Sequence, residues 1–301
     1  MDLKFTKREW STEMKIERVN LGASIFGTEK PLMRYRTDKF PLAVSLLAAP
    51  ANPEHIAAAN YKTCIEGELV YPQTLTDKEA KETFKWVMQG GHTPSLECIH
   101  LTFGVENASV VLLKQISRHR IGNSLGVMTQ RAKSEEWLGN MYDGHYVTPP
   151  SFMGRPKVHQ AYNDLVLASQ NFYNLAIAEG IQQDEARYGI IQGAKTLWHG
   201  TYSYKTVLDS ICSTRMCHIM QGEMVALSHL MAAAVKDYNE LMGDALKPIC
   251  LRYGNCNRNE NNPTKDHPKG VCKLTIDGTV PVRKVEVEKY DLTQYSKDAT
   301  K

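Results

Sequence analysis

The segment GGHTPSLECIHLTFGVENASVVLLKQISRHRIGNS, residues 90–124, changes its hydrophobic period partway along. Ile99, Leu101, Phe103 and Val105 alternate with His100, Thr102 and Gly104, a period of two that predicts a strand. From about Asn107 the period becomes helical. Val111, Gln115 and Arg118 then share one face, and Leu112, Ile116 and His119 the neighbouring one. This helix runs into Arg118-His119-Arg120 and gives way at Ile121-Gly122-Asn123-Ser124. Upstream, Gly90-Gly91 frees the chain to turn and ends a helix. That helix opens at Thr76-Asp77-Lys78-Glu79, where Thr76 and Glu79 have the spacing of a capping box. An earlier helix starts at Asn52-Pro53-Glu54, a cap candidate followed by proline in the first turn.

Downstream, Thr148-Pro149-Pro150 marks a loop, and residues 156–179 read as a helix. Residues 203–242 read as a long helix or a broken pair. Leu208, Cys212, Arg215 and Ile219 form one stripe there, and Met220, Glu223, Met224 and Leu227 another. An Asn-rich loop at 254–269 and a charged tail follow, while residues 1–40 show no firm pattern. The expected organisation is an N-terminal extension (1–45), a main domain (46–250) and a C-terminal extension (251–301). The fold class is α+β, a twisted mixed or antiparallel sheet flanked by long helices.

Composition narrows the function classes. The 301 residues carry 36 Lys and Arg against 33 Asp and Glu, a net charge of +3, with 42% hydrophobic and 23% charged residues. That is ordinary for a globular protein and offers little of the concentrated basic surplus of a dedicated nucleic-acid binder. No apolar run approaches the ~18–20 residues of a membrane span, and the first twenty residues lack a secretory h-region. A cytoplasmic setting with reduced thiols is therefore expected for the seven cysteines. Cys64, Cys98, Cys212 and Cys217 are expected to be small buried side chains.

Arginine carries the chemistry. Arg118 and Arg120 flank His119 at a helix end, where they suit either the C-terminal dipole or an anion. Gln115 and Arg131 add strong hydrogen-bonding groups near the same loop. Guanidinium forks suit phosphate oxygens and planar heterocycles because their donors lie in a rigid plane. Arg215 stands on an otherwise apolar helical stripe, which is costly without a partner. Glu223 or Asp209 would serve as that partner, and so would a ligand. Arg187, in Asp184-Glu185-Ala186-Arg187, fits a solvated helix charge equally well.

The order and spacing of these segments add what single residues do not. His92-Thr93-Pro94, Glu97, Gln115-x-x-Arg118-His119-Arg120, Glu185-Ala186-Arg187 and Arg215-x5-Gln221-Gly222-Glu223 together resemble the flavin-dependent thymidylate synthase family (ThyX) across residues 50–250. The resemblance implies an FAD enzyme that methylates dUMP at C5. Methylenetetrahydrofolate and NADPH would be its co-substrates, in a homotetramer with sites at subunit interfaces. It implies His92, Thr93 and Glu97 beside the flavin and folate, and Arg118, His119 and Arg120 on FAD. It further implies Gln115, Arg118, Thr129, Arg131, Arg187 and Arg215 on the nucleotide. Arg131 would face the phosphate, and Arg215 would act catalytically at the base carbonyl. The family uses no enzyme cysteine on C6, so Cys212 and Cys217 receive no such role, and neither does Thr129.

The chain also departs from the family pattern. Thr129 and Ala132 stand where the family has serine and tyrosine, and Gly126 where it has asparagine. One extra residue separates Arg120 from Arg131, and the flavin-contacting Asn-x-Arg has no clear match near Ser203-Tyr204-Lys205. These changes motivate alternatives on the same scaffold: dCMP methylation, or hydroxymethylation of dUMP or dCMP. A non-catalytic nucleotide- or RNA-binding relative is a further alternative, disfavoured by the small net charge. Cys250, Cys256, His267 and Cys272 are weak zinc candidates, because their spacing departs from a tight knuckle.

Overall fold

The computed structural model describes residues 14–128, 144–217 and 220–253. Thr129, Arg131, Ile219, Cys256, His267 and Cys272 lie outside them, as does the side chain of Cys250. The chain divides into a unit ending at Leu246 and a second beginning at Lys247, whose described part includes the short helix α10 (Ile249–Tyr253).

The first unit is built on a six-stranded sheet. Its strands are β1 (Ile16–Ser24), β2 (Pro31–Thr37), β3 (Ala43–Ala48), β4 (His100–Ser109), β5 (Asn123–Val127) and β6 (Lys195–Ser203). They lie in the order β1-β2-β3-β4-β6-β5, and every neighbouring pair is antiparallel. The fold is α+β. Leu101, Phe103 and Val105 of β4 are buried, as their alternation requires. The strand runs past the expected switch at Asn107: that residue has φ 56°, the ladder shifts register between Val105 and Ala108, and the helix α3 (Val110–Ile116) begins only at Val110. Ser109 caps it by accepting from the Leu112 N–H at 3.0 Å.

Around the sheet stand α1 (Pro53–Glu66), α2 (Asp77–Met88), α4 (Pro150–Met153), α5 (Pro156–Ala178), α6 (Gln183–Ala186), α7 (Ser213–Arg215), α8 (Gly222–Tyr238) and α9 (Glu240–Ala245). The Thr76–Glu79 capping box opens α2, and α1 begins at Pro53, although the Asn52 side chain makes no capping bond. Helix α8 packs against β2 and β3, sending Met224, Leu227, Leu230, Met231 and Val235 into the one large core, with Leu42, Phe84, Phe103 and Trp198.

Three expectations are corrected. Residues 203–242 are not one long helix and begin as strand, with Ser203 closing β6. Helix runs over 204–215 with a π-helix at Thr206–Cys212 continuing into α7, and α8 and α9 follow after a break, so the broken pair is the reading that holds. Strands β1 and β2, from the patternless N-terminal stretch, join the sheet. Every residue of β1 is exposed, so no buried alternation marks it in the sequence. Of the four cysteines, Cys212 is buried and Cys217 intermediate, whereas Cys64 and Cys98 are exposed.

Candidate functional site

Beyond α3 the chain turns rather than spirals on. The Arg118 N–H bonds to the Gln115 carbonyl and the His119 N–H to that of Ile116. The turn is then tied to the entry of the π-helix. Thr206 donates from Oγ1 to the Ile121 carbonyl at 2.7 Å, and the Ser203 N–H donates to the Gly122 carbonyl at 2.7 Å. Gly122 has φ +64°, and a Cβ there would lie 2.6 Å from Ser203 Oγ, so both conformation and close approach require glycine.

These ties build a cleft of about 660 Å³ lined by Arg118, His119, Arg120 and the Ile121-Gly122 turn on one side. Ser203, Lys205, Thr206, Asp209 and Ser210 line the other, with Glu97 and His100 also contributing. Arg118 and Arg120 are exposed. Lys205 lies 3.6 Å from Glu97 and 4.0 Å from Asp209, loose pairs that water and ions screen. Three cations and several hydroxyls facing one opening form a donor set that fits phosphate oxygens.

His119 is 8% exposed and forms the hinge of the site. Its Nδ1 lies 2.6 Å from Ser210 Oγ, and its Nε2 accepts from Arg215 Nε at 3.1 Å. A guanidinium N–H can only donate, so Nε2 carries no proton and the ring's single hydrogen sits on Nδ1, pointing at Ser210. Burial, with the Arg215 charge adding to it, holds the imidazole down at about 4 and therefore neutral near pH 7. Arg215 also reaches the Met220 sulfur at 3.8 Å.

Glu223, one partner proposed for Arg215, is committed elsewhere. It is 2% exposed and receives the Ser109 N–H at 2.7 Å as well as the Ser109 hydroxyl. Burial raises its carboxyl pKa, and the Ser109 bonds oppose that rise. Gln221 caps α8 by accepting from the Met224 N–H at 2.8 Å. Both residues of the Gln-Gly-Glu segment are thus engaged in holding helix ends.

The structure brings Glu97, Arg118, His119 and Arg120 to one cleft, with Arg215 directly behind His119. It places the remaining described residues apart from that lining. His92 pairs with Ser95 Oγ at 2.8 Å and packs on the Tyr61 ring, and Thr93 opens the short 3-10 helix Thr93–Cys98. Gln115 is half-buried on α3. Arg187 sits in the turn after α6, its Nε donating to the Asp184 carbonyl at 3.0 Å. Sequence reasoning missed Lys205 and Ser210 as cleft residues. The signal was the alternation of Thr196, Trp198, Gly200 and Tyr202, which ends β6 at Ser203 and fixes where the π-helix must start.

The antiparallel α+β fold thus carries a cationic, hydroxyl-edged cleft whose donors match the chemistry of phosphate oxygens. The chain belongs to the Thy1 family, thymidylate synthase complementing protein, whose model matches residues 45–238. Flavin-dependent thymidylate synthases are among its relatives. That of Saccharolobus solfataricus is 27% identical over 226 residues, covering 73% of this chain and 82% of the relative. That of Sulfurisphaera tokodaii is 27% identical over 194 residues, covering 63% and 71%. Two solved structures share the fold. The UMP/dUMP methylase PolB of Streptomyces cacaoi, bound with 5-Br dUMP, has a TM-score of 0.54 at 16% identity, covering 68% of this chain and 93% of PolB. ThyX of Helicobacter pylori, complexed with FAD and dUMP, has a TM-score of 0.51 at 22% identity, covering 68% and 99%.

Proposed function

We propose that the chain is an FAD-dependent methyltransferase that converts dUMP to dTMP, taking the carbon from methylenetetrahydrofolate and reducing power from NADPH. The observation that carries this reading is the joining of Arg118, Arg120 and Lys205 in one cleft with His119, which grips Arg215 from behind. FAD, when bound, supplies the hydride chemistry that amino-acid side chains cannot. The residues here bind and polarise. Arg118, Arg120 and Lys205 neutralise phosphate charge, while Ser203, Thr206 and Ser210 edge the cleft with hydroxyls. Arg215, set against a pyrimidine carbonyl, would stabilise the negative charge that develops as C5 becomes a carbon nucleophile. Neutral His119 lets that cation stand close without repulsion, which a protonated ring would not.

Self-association into a homotetramer belongs to the same reading. Helix α5 supports it: Val158, Leu165, Phe172 and Leu175 are exposed along one face at near-heptad spacing, with Ala161 and Ala168 between them. A cytoplasmic location also belongs to it, and among the described residues no helix is long and apolar enough to cross a membrane.

The test is mass spectrometry of products from dUMP and, separately, dCMP, with FAD, NADPH and methylenetetrahydrofolate present. A methylated product from dUMP alone is expected. A methylated cytosine nucleotide or a hydroxymethyl product would move the assignment to those alternatives, which the Thr129–Ala132 sequence motivates. No nucleotide product with either substrate would contradict it.

A further inference from the structure

We infer that Ser210 is a positioning residue for Arg215, acting through His119. Three groups from two parts of the chain meet here: His119 after α3, and Ser210 in the π-helix with Arg215 at the end of the adjoining α7. Arg215 Nε, always a donor, faces His119 Nε2 at 3.1 Å. Only the Nδ1–H tautomer can accept there, and that tautomer needs an acceptor at Nδ1, which Ser210 Oγ provides at 2.6 Å. His119 holds Nε and the Met220 sulfur lies 3.8 Å from one Nη, so the imidazole that Ser210 sets decides how the guanidinium is turned. The hydroxyl of Ser210 therefore fixes which edge of a guanidinium two partners away meets the substrate.

The neighbourhood makes Ser210 a precise support. Its own carbonyl accepts from Thr214 Oγ1 at 2.5 Å, and the next hydroxyl along, Ser213, donates to the Asp209 carbonyl. Both bonds close back over one helical turn, so the backbone carrying Ser210 is bound to the backbone leading into Arg215. Ser210 also lines the cleft. Removing its Oγ leaves a buried Nδ1–H unpaired. Moving the proton to Nε2 instead sets one N–H against another at Arg215. Either way the grip on Arg215 is lost.

The inference rests on the proposed role of Arg215 at the nucleotide, and its test separates the two ideas. Nitrogen-15 NMR of labelled histidine in the full chain reads the tautomer directly, without substrate. Wild type is expected to show His119 as Nδ1–H, and Ser210→Ala to show Nε2–H or an exchanging mixture. Ser210→Thr, which keeps a hydroxyl, is expected to restore the wild-type signal. Calorimetric titration with dUMP is expected to show affinity about tenfold weaker in Ser210→Ala and within about twofold of wild type in Ser210→Thr. An Nε2–H tautomer in wild type would overturn the inference, as would an unchanged tautomer in Ser210→Ala. The expected tautomers without dUMP binding in wild type would defeat the nucleotide reading and with it the positioning role, while leaving the hydrogen-bond chain intact. Should Ser210→Ala fail to fold, the wild-type spectrum and Ser210→Thr still decide.

Discussion

Glu223 receives both the backbone N–H and the hydroxyl of Ser109, joining the first turn of α8 to the cap of α3 across 114 residues of sequence. The helix that carries the chain into Arg118-His119-Arg120 is thereby fixed to the helix packed under the sheet. Replacing Glu223 with Ala strands two buried donors, and we expect a loss of about 2–3 kcal/mol in denaturant unfolding. Glu223→Gln, which keeps one acceptor, should lose less. Equal losses for both variants would show that one acceptor oxygen is not enough and that the intact carboxylate is needed to hold both Ser109 donors.

Charge in the cleft should control cofactor retention. Arg118→Ala and Arg120→Ala remove exposed side chains, so stability should stay within about 0.5 kcal/mol of wild type while FAD retained after gel filtration falls sharply. Lys205→Glu should weaken retention too, by placing a third carboxylate beside Glu97 and Asp209. All three differences from wild type should shrink at high salt.

Acid should loosen the site in a defined window. The folded state holds His119 at about 4, below the ordinary imidazole value of 6.5. Between those values the unfolded chain takes up a proton that the folded chain refuses. Stability from this group is therefore full above pH 6.5, falls as pH drops toward 4, and then levels off. His229 is also lowered by burial and acts in the same direction. Burial is the main cause, and the adjoining Arg215 guanidinium adds to it in opposing protonation of His119. Unfolding at pH 7 and pH 5 should show a smaller pH dependence in His119→Asn than in wild type. Equal slopes would assign the effect to His229.

The exposed face of α5 gives a further expectation. Leu165→Glu places a charge in the middle of that apolar seam without touching the core, since Leu165 is 53% exposed. Light scattering should find the wild-type chain tetrameric and this variant dissociated. An unchanged mass would show that another surface carries the assembly.

The sequence made some of this legible and hid the rest for physical reasons. Ile99, Leu101, Phe103 and Val105 announce their strand because one face is wholly buried and the period is two. Thr76 and Glu79 announce a helix start because the capping box is local chemistry. Strand β1 is silent because all its residues are exposed, so pairing with β2 rather than burial defines it. In β6, Thr196, Trp198, Gly200 and Tyr202 do alternate, but Gly200 breaks the apolar pattern. A side chain there would collide with the Tyr202 ring, at 2.6 Å. In the site, the Arg-His-Arg turn stood out as a motif. The partners of His119 did not, because Ser210 and Arg215 lie 91 and 96 residues away and only the fold joins them. The arginine on the apolar stripe was the visible anomaly, and the fold brings the imidazole of His119 against it.

The most direct test of the central claim is the visible absorption spectrum of the purified chain after incubation with FAD and removal of free cofactor. A retained flavin spectrum, lost in Arg118→Ala, is the predicted result. A colourless protein that circular dichroism shows to be folded would contradict it.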